Sequence, residues 1–206
     1  MRLIIVATDM EAAAIPTGSG DRIVVSGIGR TNAACATTES LLAESAVEAV
    51  ISVGIAGALP GSDLKPGDVL VASACIYAEE GLITPDGFCD LESMGFALGD
   101  FSGNTVPVDR ALLEQFGDAF PIGPIATVAT ASGTDAAAAT VAERTGAMAE
   151  AMEGAAVVHA ARRRRVPAIE VRVISNLTGH RPSQAWDMPA ALAALRTTAQ
   201  TLAGIR

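Results

Sequence analysis

Short apolar runs recur along the chain, each closed by polar or glycine-rich residues, and stretches with helical spacing separate them. Residues 3–7 are apolar without alternation, the pattern of a strand covered on both faces in a parallel sheet. Thr8-Asp9-Met10-Glu11 and a short helical alanine run follow. A second strand at residues 22–26 leads into Gly27-Ile28-Gly29-Arg30-Thr31-Asn32, where Thr31 or Asn32 can cap a helix over residues 33–44. The third strand, residues 50–53, ends in Gly54-Ile55-Ala56-Gly57-Ala58, whose two glycines let a flat ligand approach the backbone. Residues 64–68 form a turn before a fourth strand at 69–74. Residues 77–103 are rich in glycine, acids and aromatics, with a turn at Pro85-Asp86-Gly87. Long loops in compact domains are usually functional, so this segment is a candidate lid. A fifth strand at 125–129 precedes Thr130-Ala131-Ser132-Gly133-Thr134-Asp135 and a helix from about residue 136.

Residues 151–176 read as helix, turn and buried strand. The helix opens at Met152-Glu153-Gly154, with Glu153 in its first turn, and closes on four arginines at 162–165 that face the negative end of the macrodipole. Val166-Pro167 breaks it, and residues 168–174 form an apolar strand interrupted by Arg172 and ending in Ser175-Asn176. A last amphipathic helix starts at Asp187 or Met188, with Pro189 in its first turn, and runs to about 203. Parallel-type strands alternating with helices, without repeats or a linker, give one α/β domain over residues 1–206.

In open α/β sheets ligands sit beyond the carboxyl ends of strands, which is where Glu11, Ser175 and Asn176 stand. An arginine inside an apolar strand needs a carboxylate partner or a site that uses its charge. Glu153 can be a simple capping residue. The Gly-x-Gly after the second strand is a weak dinucleotide signal. Its sixth position is Asn32, and the next strand ends without a ribose-binding acid.

Composition narrows the field. The 206 residues are half hydrophobic but 3% aromatic, so the core is mainly Ala, Val, Ile and Leu. A net charge of -9 argues against a nucleic-acid backbone as partner. The arginines at 162–165 read as a solvated helix end. Cys35, Cys75 and Cys89 are an odd set without metal spacing, so free thiols in a reducing compartment are expected, and no metal or other cofactor. The chain opens on a strand without a signal-peptide layout, and no apolar run reaches a membrane span. The expectation is a soluble cytoplasmic protein with no membrane partner.

Ser26–Ala34 (SGIGRTNAA), Ser52–Ala72 (SVGIAGAL followed by LKPGDVLVA) and AMEGAA with VRVISN together resemble the nucleoside phosphorylase and nucleosidase superfamily. The resemblance spans nearly the whole chain. It implies a three-layer αβα sandwich around a central twisted mixed sheet, and lies closest to the hydrolases. Glu11 matches the acid that handles the attacking water in 5′-methylthioadenosine/S-adenosylhomocysteine nucleosidases, and Arg172 the arginine beside it. Met152 and Glu153 match residues that grip the ribose. Those nucleosidases carry Ser-Asp where this chain has Ser175-Asn176. That asparagine, GLITPDGFCDLESMGF and SNLTGHRPSQAWDMPAAL are similar to the futalosine hydrolases, enzymes of the menaquinone pathway that release hypoxanthine from futalosine.

The implied site is Glu11, Glu153, Arg172 and Asn176 as catalytic residues. Ala56, Gly57, Thr130, Met152 and Ser175 bind substrate. Chemistry agrees: hypoxanthine offers N7 and O6 as acceptors, which an asparagine amide can meet as donor, whereas a carboxylate beside O6 would repel it. Phe88, Phe96, His180 and Arg181 are candidates for the carboxyphenyl end of the substrate, with core packing the simpler role for both phenylalanines. His159 reads as structural and Trp186 as an anchor for the last helix. Three rivals remain: an adenine-releasing nucleosidase, a phosphorylase using Arg30 as anion site, and a purine nucleoside-binding protein without catalysis. The family's oligomers and the many small residues here point to a homo-oligomer, a dimer foremost.

Overall fold

The fold, taken from a computed structural model, is described over residues 1–16, 20–117 and 119–202. In chain order, β1 (Arg2–Val6), α1 (Asp9–Ala14), β2 (Asp21–Val25), α2 (Arg30–Ala43) and β3 (Ala49–Ala58) make the first part. Next come β4 (Val69–Tyr77), β5 (Gly81–Thr84), β6 (Gly87–Asp90), β7 (Thr105–Pro107), α3 (Arg110–Phe116) and β8 (Ile122–Thr127). The last part is α4 (Asp135–Thr145), β9 (Ala149–Ala151), α5 (Gly154–Arg163), β10 (Ala168–Leu177), a single 3-10 turn at Arg181–Ser183, and α6 (Met188–Leu202).

All strands but β5 and β6 join one mixed sheet. β1 pairs in parallel with β2 and β3, and β3 in parallel with β10. β10 is antiparallel to β4, β4 parallel to β8, and β8 parallel to β9. Because β9 also pairs antiparallel with the end of β3, the path β3-β10-β4-β8-β9 returns to β3 and closes a ring.

Alternate residues of the strands feed two cores, as a period of two requires. Leu3 and Ile5 of β1 join Val50 of β3 and Ala155, Val157 and Ala161 of α5 in one. Ile4 and Val6 join Ile51 and Val53, Val171 and Val173 of β10, Leu112 of α3 and Leu195 of α6 in the other. Helices α2 and α5 therefore cover one side and α1, α3 and α6 the other, the three-layer αβα arrangement expected from the resemblance. Strands β1, β3 and β10 are buried on both faces, which is why their sequences are mostly apolar.

Several local expectations change. Helix α2 starts at Arg30 with Gly29 as N-cap, so neither Thr31 nor Asn32 caps it. Gly29 takes φ 95°, open to glycine, and the Asn32 amide instead donates to the Ile28 carbonyl at 2.8 Å. Strand β3 continues through Gly54-Ile55-Ala56-Gly57-Ala58, because β10 and β9 pair with it to that point. Residues 77–103 contain the β5–β6 hairpin, with Pro85-Asp86 at its tip. Neither β7, α3 nor the three-residue β9 was signalled by periodicity, and the run at 203 lies outside the described residues. No helix among the described residues is long and apolar enough to cross a membrane.

Candidate active site

A cavity of about 550 Å³ opens where β1, β3, β9 and β10 end and α5 begins. Glu11 reaches it from the first turn of α1. Thr8 caps that helix, accepting from the Glu11 amide, while the Glu11 carboxylate folds back onto the amides of Thr8 (2.9 Å) and Ala7 (3.1 Å). The Thr8 hydroxyl donates to the same oxygen at 3.0 Å, and the Ile55 amide of β3 donates to the other at 3.0 Å. Four donors thus fix a carboxylate that is 4% exposed. A side chain at Gly54 would collide with Glu11 and Arg172 together, so this approach needs glycine.

Glu153 stands at the N-cap of α5 rather than in its first turn, and its side chain does not cap the helix. One oxygen accepts from the Gly29 amide at 2.9 Å; the other lies 3.5 Å from an Arg172 nitrogen. Arg172 is almost wholly buried behind the cavity wall. Its Nε donates to Glu170 at 2.7 Å and one Nη to the Ser52 hydroxyl at 3.2 Å. The arginine therefore clasps Glu170 and Glu153, and no bond joins it to Glu11, whose charge acts on it at longer range. Glu170, the missed partner, lies two residues before Arg172 on the same strand face, a spacing visible in the sequence.

Ser175 and Asn176 are consecutive, and in a regular strand they would face opposite sides. The β3–β10 register shifts between Ile174 and Asn176, and this bulge lets both line the cavity. The Ser175 hydroxyl sits 2.8 Å from Asn176 Oδ1 and 3.1 Å from the Ala56 carbonyl. Asn176 Nδ2 donates to the Leu177 carbonyl at 3.1 Å, which leaves its second N–H for a ligand.

The chain matches the Phosphorylase superfamily over residues 19–205. It is 41% identical to a futalosine hydrolase of Acidothermus cellulolyticus, with 93% of this chain and 85% of that protein covered. With a futalosine hydrolase of Streptomyces coelicolor it shares 37% identity, over 89% and 78% of the two chains. The chain belongs to the futalosine hydrolase family of the phosphorylase superfamily. Its fold is also that of a Helicobacter pylori futalosine hydrolase mutant, TM-score 0.75 at 22% identity, over 98% of this chain and 97% of that one. A Helicobacter pylori 5′-methylthioadenosine/S-adenosyl homocysteine nucleosidase superimposes with TM-score 0.77 at 21% identity, over 98% and 95%.

Against that family background, the remaining expected residues divide. Ala56, Gly57 and Met152 line the cavity with Glu11, Glu153, Ser175 and Asn176. Thr130 is exposed and outside it; Ser132, two residues on, takes that place because the loop after β8 turns inward there. Ser132 is held by Glu150 of β9, a second residue that the sequence pattern did not single out. Of the four candidates for the far end of the substrate, Arg181 alone lines the cavity. Its guanidinium lies 4.5 Å over the Trp186 ring, and both donate to Gln184. Trp186 is 43% exposed and lines the cavity instead of anchoring α6 in the core. Phe88 stacks under Arg144, Phe96 is exposed, and His180 is exposed with its amide on Asp135. His159 packs edge-on against Tyr77 and Phe101, away from the cavity. Arg30 ion-pairs with Glu79 and Glu80, and no residue of the candidate lid, 77–103, lines the cavity.

Proposed function

We propose that the chain hydrolyses the N-ribosyl bond of futalosine, releasing hypoxanthine in menaquinone biosynthesis. The observation that carries this is the cavity itself. It holds a four-donor carboxylate at Glu11, a second carboxylate at Glu153 and the amide of Asn176 around one space. Glu11 orients a water at the face of the sugar opposite the base and takes its proton as the C1′–O bond forms. The C1′–N9 bond breaks with its electron pair leaving on the purine. Glu153 accepts from the ribose hydroxyls and opposes the positive charge that grows on the sugar, while Arg172 positions Glu153 from behind. Asn176 donates to the purine as negative charge develops on it, and Ser175 orients that amide. The sugar's carboxyphenyl end meets Arg181, the cation at the cavity mouth.

Arg30 already pairs with two carboxylates, which favours water over phosphate as nucleophile. Exposed Leu82, Ile83 and Phe96 support a homo-oligomer, with a dimer foremost. Incubation with futalosine in phosphate-free buffer should liberate hypoxanthine, and Glu11→Gln should slow that by on the order of a hundredfold or more. Release of adenine from methylthioadenosine or aminofutalosine, without hypoxanthine from futalosine, would instead make the chain an adenine-releasing nucleosidase.

A further inference from the structure

Glu150 is a buried carboxylate that the hydrolytic mechanism does not use. It is 6% exposed and lines the cavity, and among the described residues no cation forms an ion pair with it. Ser132 supplies its partners: the amide donates to one oxygen at 2.7 Å and the hydroxyl to the other at 2.6 Å. An ionised carboxylate offers about four lone-pair positions, so two remain unfilled. Burial raises its pKa, against the Ser132 hydrogen bonds, and the charge of Glu79 adds to the rise.

Strand register brings Glu150 to the purine end of the site. Gly57 of β3 lies opposite Glu150 on one side and opposite Asn176 on the other. Neighbouring strands are about 4.8 Å apart, so the two backbones stand roughly 10 Å from each other. Gly57, without a side chain, leaves a flat floor between them, and a Cβ there would point at Asn176 and Thr178. A planar base lying over that glycine has one edge towards the amide and the adjoining edge towards the carboxylate.

We propose that Glu150 is a specificity-determining residue that accepts the N1–H of a 6-oxopurine while Asn176 serves O6 and N7. This rests on the hydrolase reading above and adds the feature that separates the bases. Asn176, its amide held by Ser175 and the Leu177 carbonyl, reads only the O6 and N7 edge and makes no test of position 1. A carboxylate only accepts. Position 1 carries a hydrogen in hypoxanthine and a lone pair in adenine, so Glu150 bonds the first and repels the second. A site that leaves a buried polar group unpaired discriminates by large factors.

The test compares futalosine with its 6-amino counterpart on wild type and Glu150→Gln, and hypoxanthine with 1-methylhypoxanthine as ligands of the wild type. Glutamine offers a donor as well as an acceptor. The kcat/KM for futalosine should fall about tenfold to a hundredfold, and the ratio between the two substrates should move towards the amino form by at least about tenfold. Equal losses on both substrates would mark Glu150 as a mere fastener of the Ser132 loop and overturn the proposal. Hypoxanthine should bind the wild type at least about tenfold more tightly than 1-methylhypoxanthine. Equal binding overturns the proposal without any variant. If the wild type leaves futalosine intact yet keeps that preference among free bases, the substrate reading falls and the role of Glu150 stands.

Discussion

Arg172 sits among three carboxylates, and the charge balance of the site turns on which of them it holds. Burial alone would push its pKa down; the charges of Glu170, Glu153 and Glu11 outweigh that and hold it above the ordinary value. Glu170 in turn lies against the Cys75 thiol, which burial first and that carboxylate second push well up, so Cys75 stays a protonated core residue at neutral pH. His159 shows the opposite case. Burial, then Arg163, lowers its pKa from 6.5, with Asp100 opposing and Arg162 adding. Tyr77 and Phe101 are its other close neighbours. Below pH 6.5 the unfolded chain therefore binds a proton that the folded imidazole refuses, and stability is lost as pH falls through 6.5 towards the folded value. Urea midpoints at about pH 7.5 and about pH 5.5 should drop more for wild type than for His159→Gln. An equal drop would mean that His159 contributes nothing to acid sensitivity.

Among the elements, α5 and β10 are matched to each other so closely that a glycine decides the fit. Gly154 opens α5, and a methyl group there would overlap the Glu170 carboxylate. Helix propensity alone favours alanine over glycine by about 1 kcal/mol. Overpacking typically costs about 1–3 kcal/mol, and here it also displaces the partner of Arg172. Gly154→Ala should therefore lower the denaturant midpoint, and a raised midpoint would show that propensity wins. The helix–turn–strand unit was legible in the sequence because its apolar runs are long and its breaker, Val166-Pro167, is local. The direction of Glu153 was not legible. A glutamate at a helix start has the same local pattern whether it caps the helix or, as here, turns to the Gly29 amide far away in the chain. Likewise Ala149–Ala151 is a strand because β3 and β8 flank it, and its three residues carry no period of their own.

At the scale of the molecule, the cavity is assembled from β1, β3, β9, β10 and the loops beyond β8 and β10, so a bound base ties together segments from across the chain. Under the proposed function, hypoxanthine at about a hundred times its Kd should stabilise the fold by about 2.7 kcal/mol. For a chain of this size, at about 2–4 °C per kcal/mol, that corresponds to roughly 5–11 °C in the melting midpoint. Adenine at the same concentration should shift it less, and an equal shift would count against selection of the 6-oxo base. Chain-local information was sufficient for the α/β class, the order of the long strands and helices, and the addresses of Glu11, Ser175 and Asn176, because buried parallel strands write their apolar runs and polar ends into the sequence. Three things were decided by tertiary structure alone: the reach of Arg172 to Glu153, the inward turn of Ser132, and the placing of Glu150 across Gly57 from Asn176. Each depends on strand register or on contacts between residues distant in the chain, and periodicity carries no record of either.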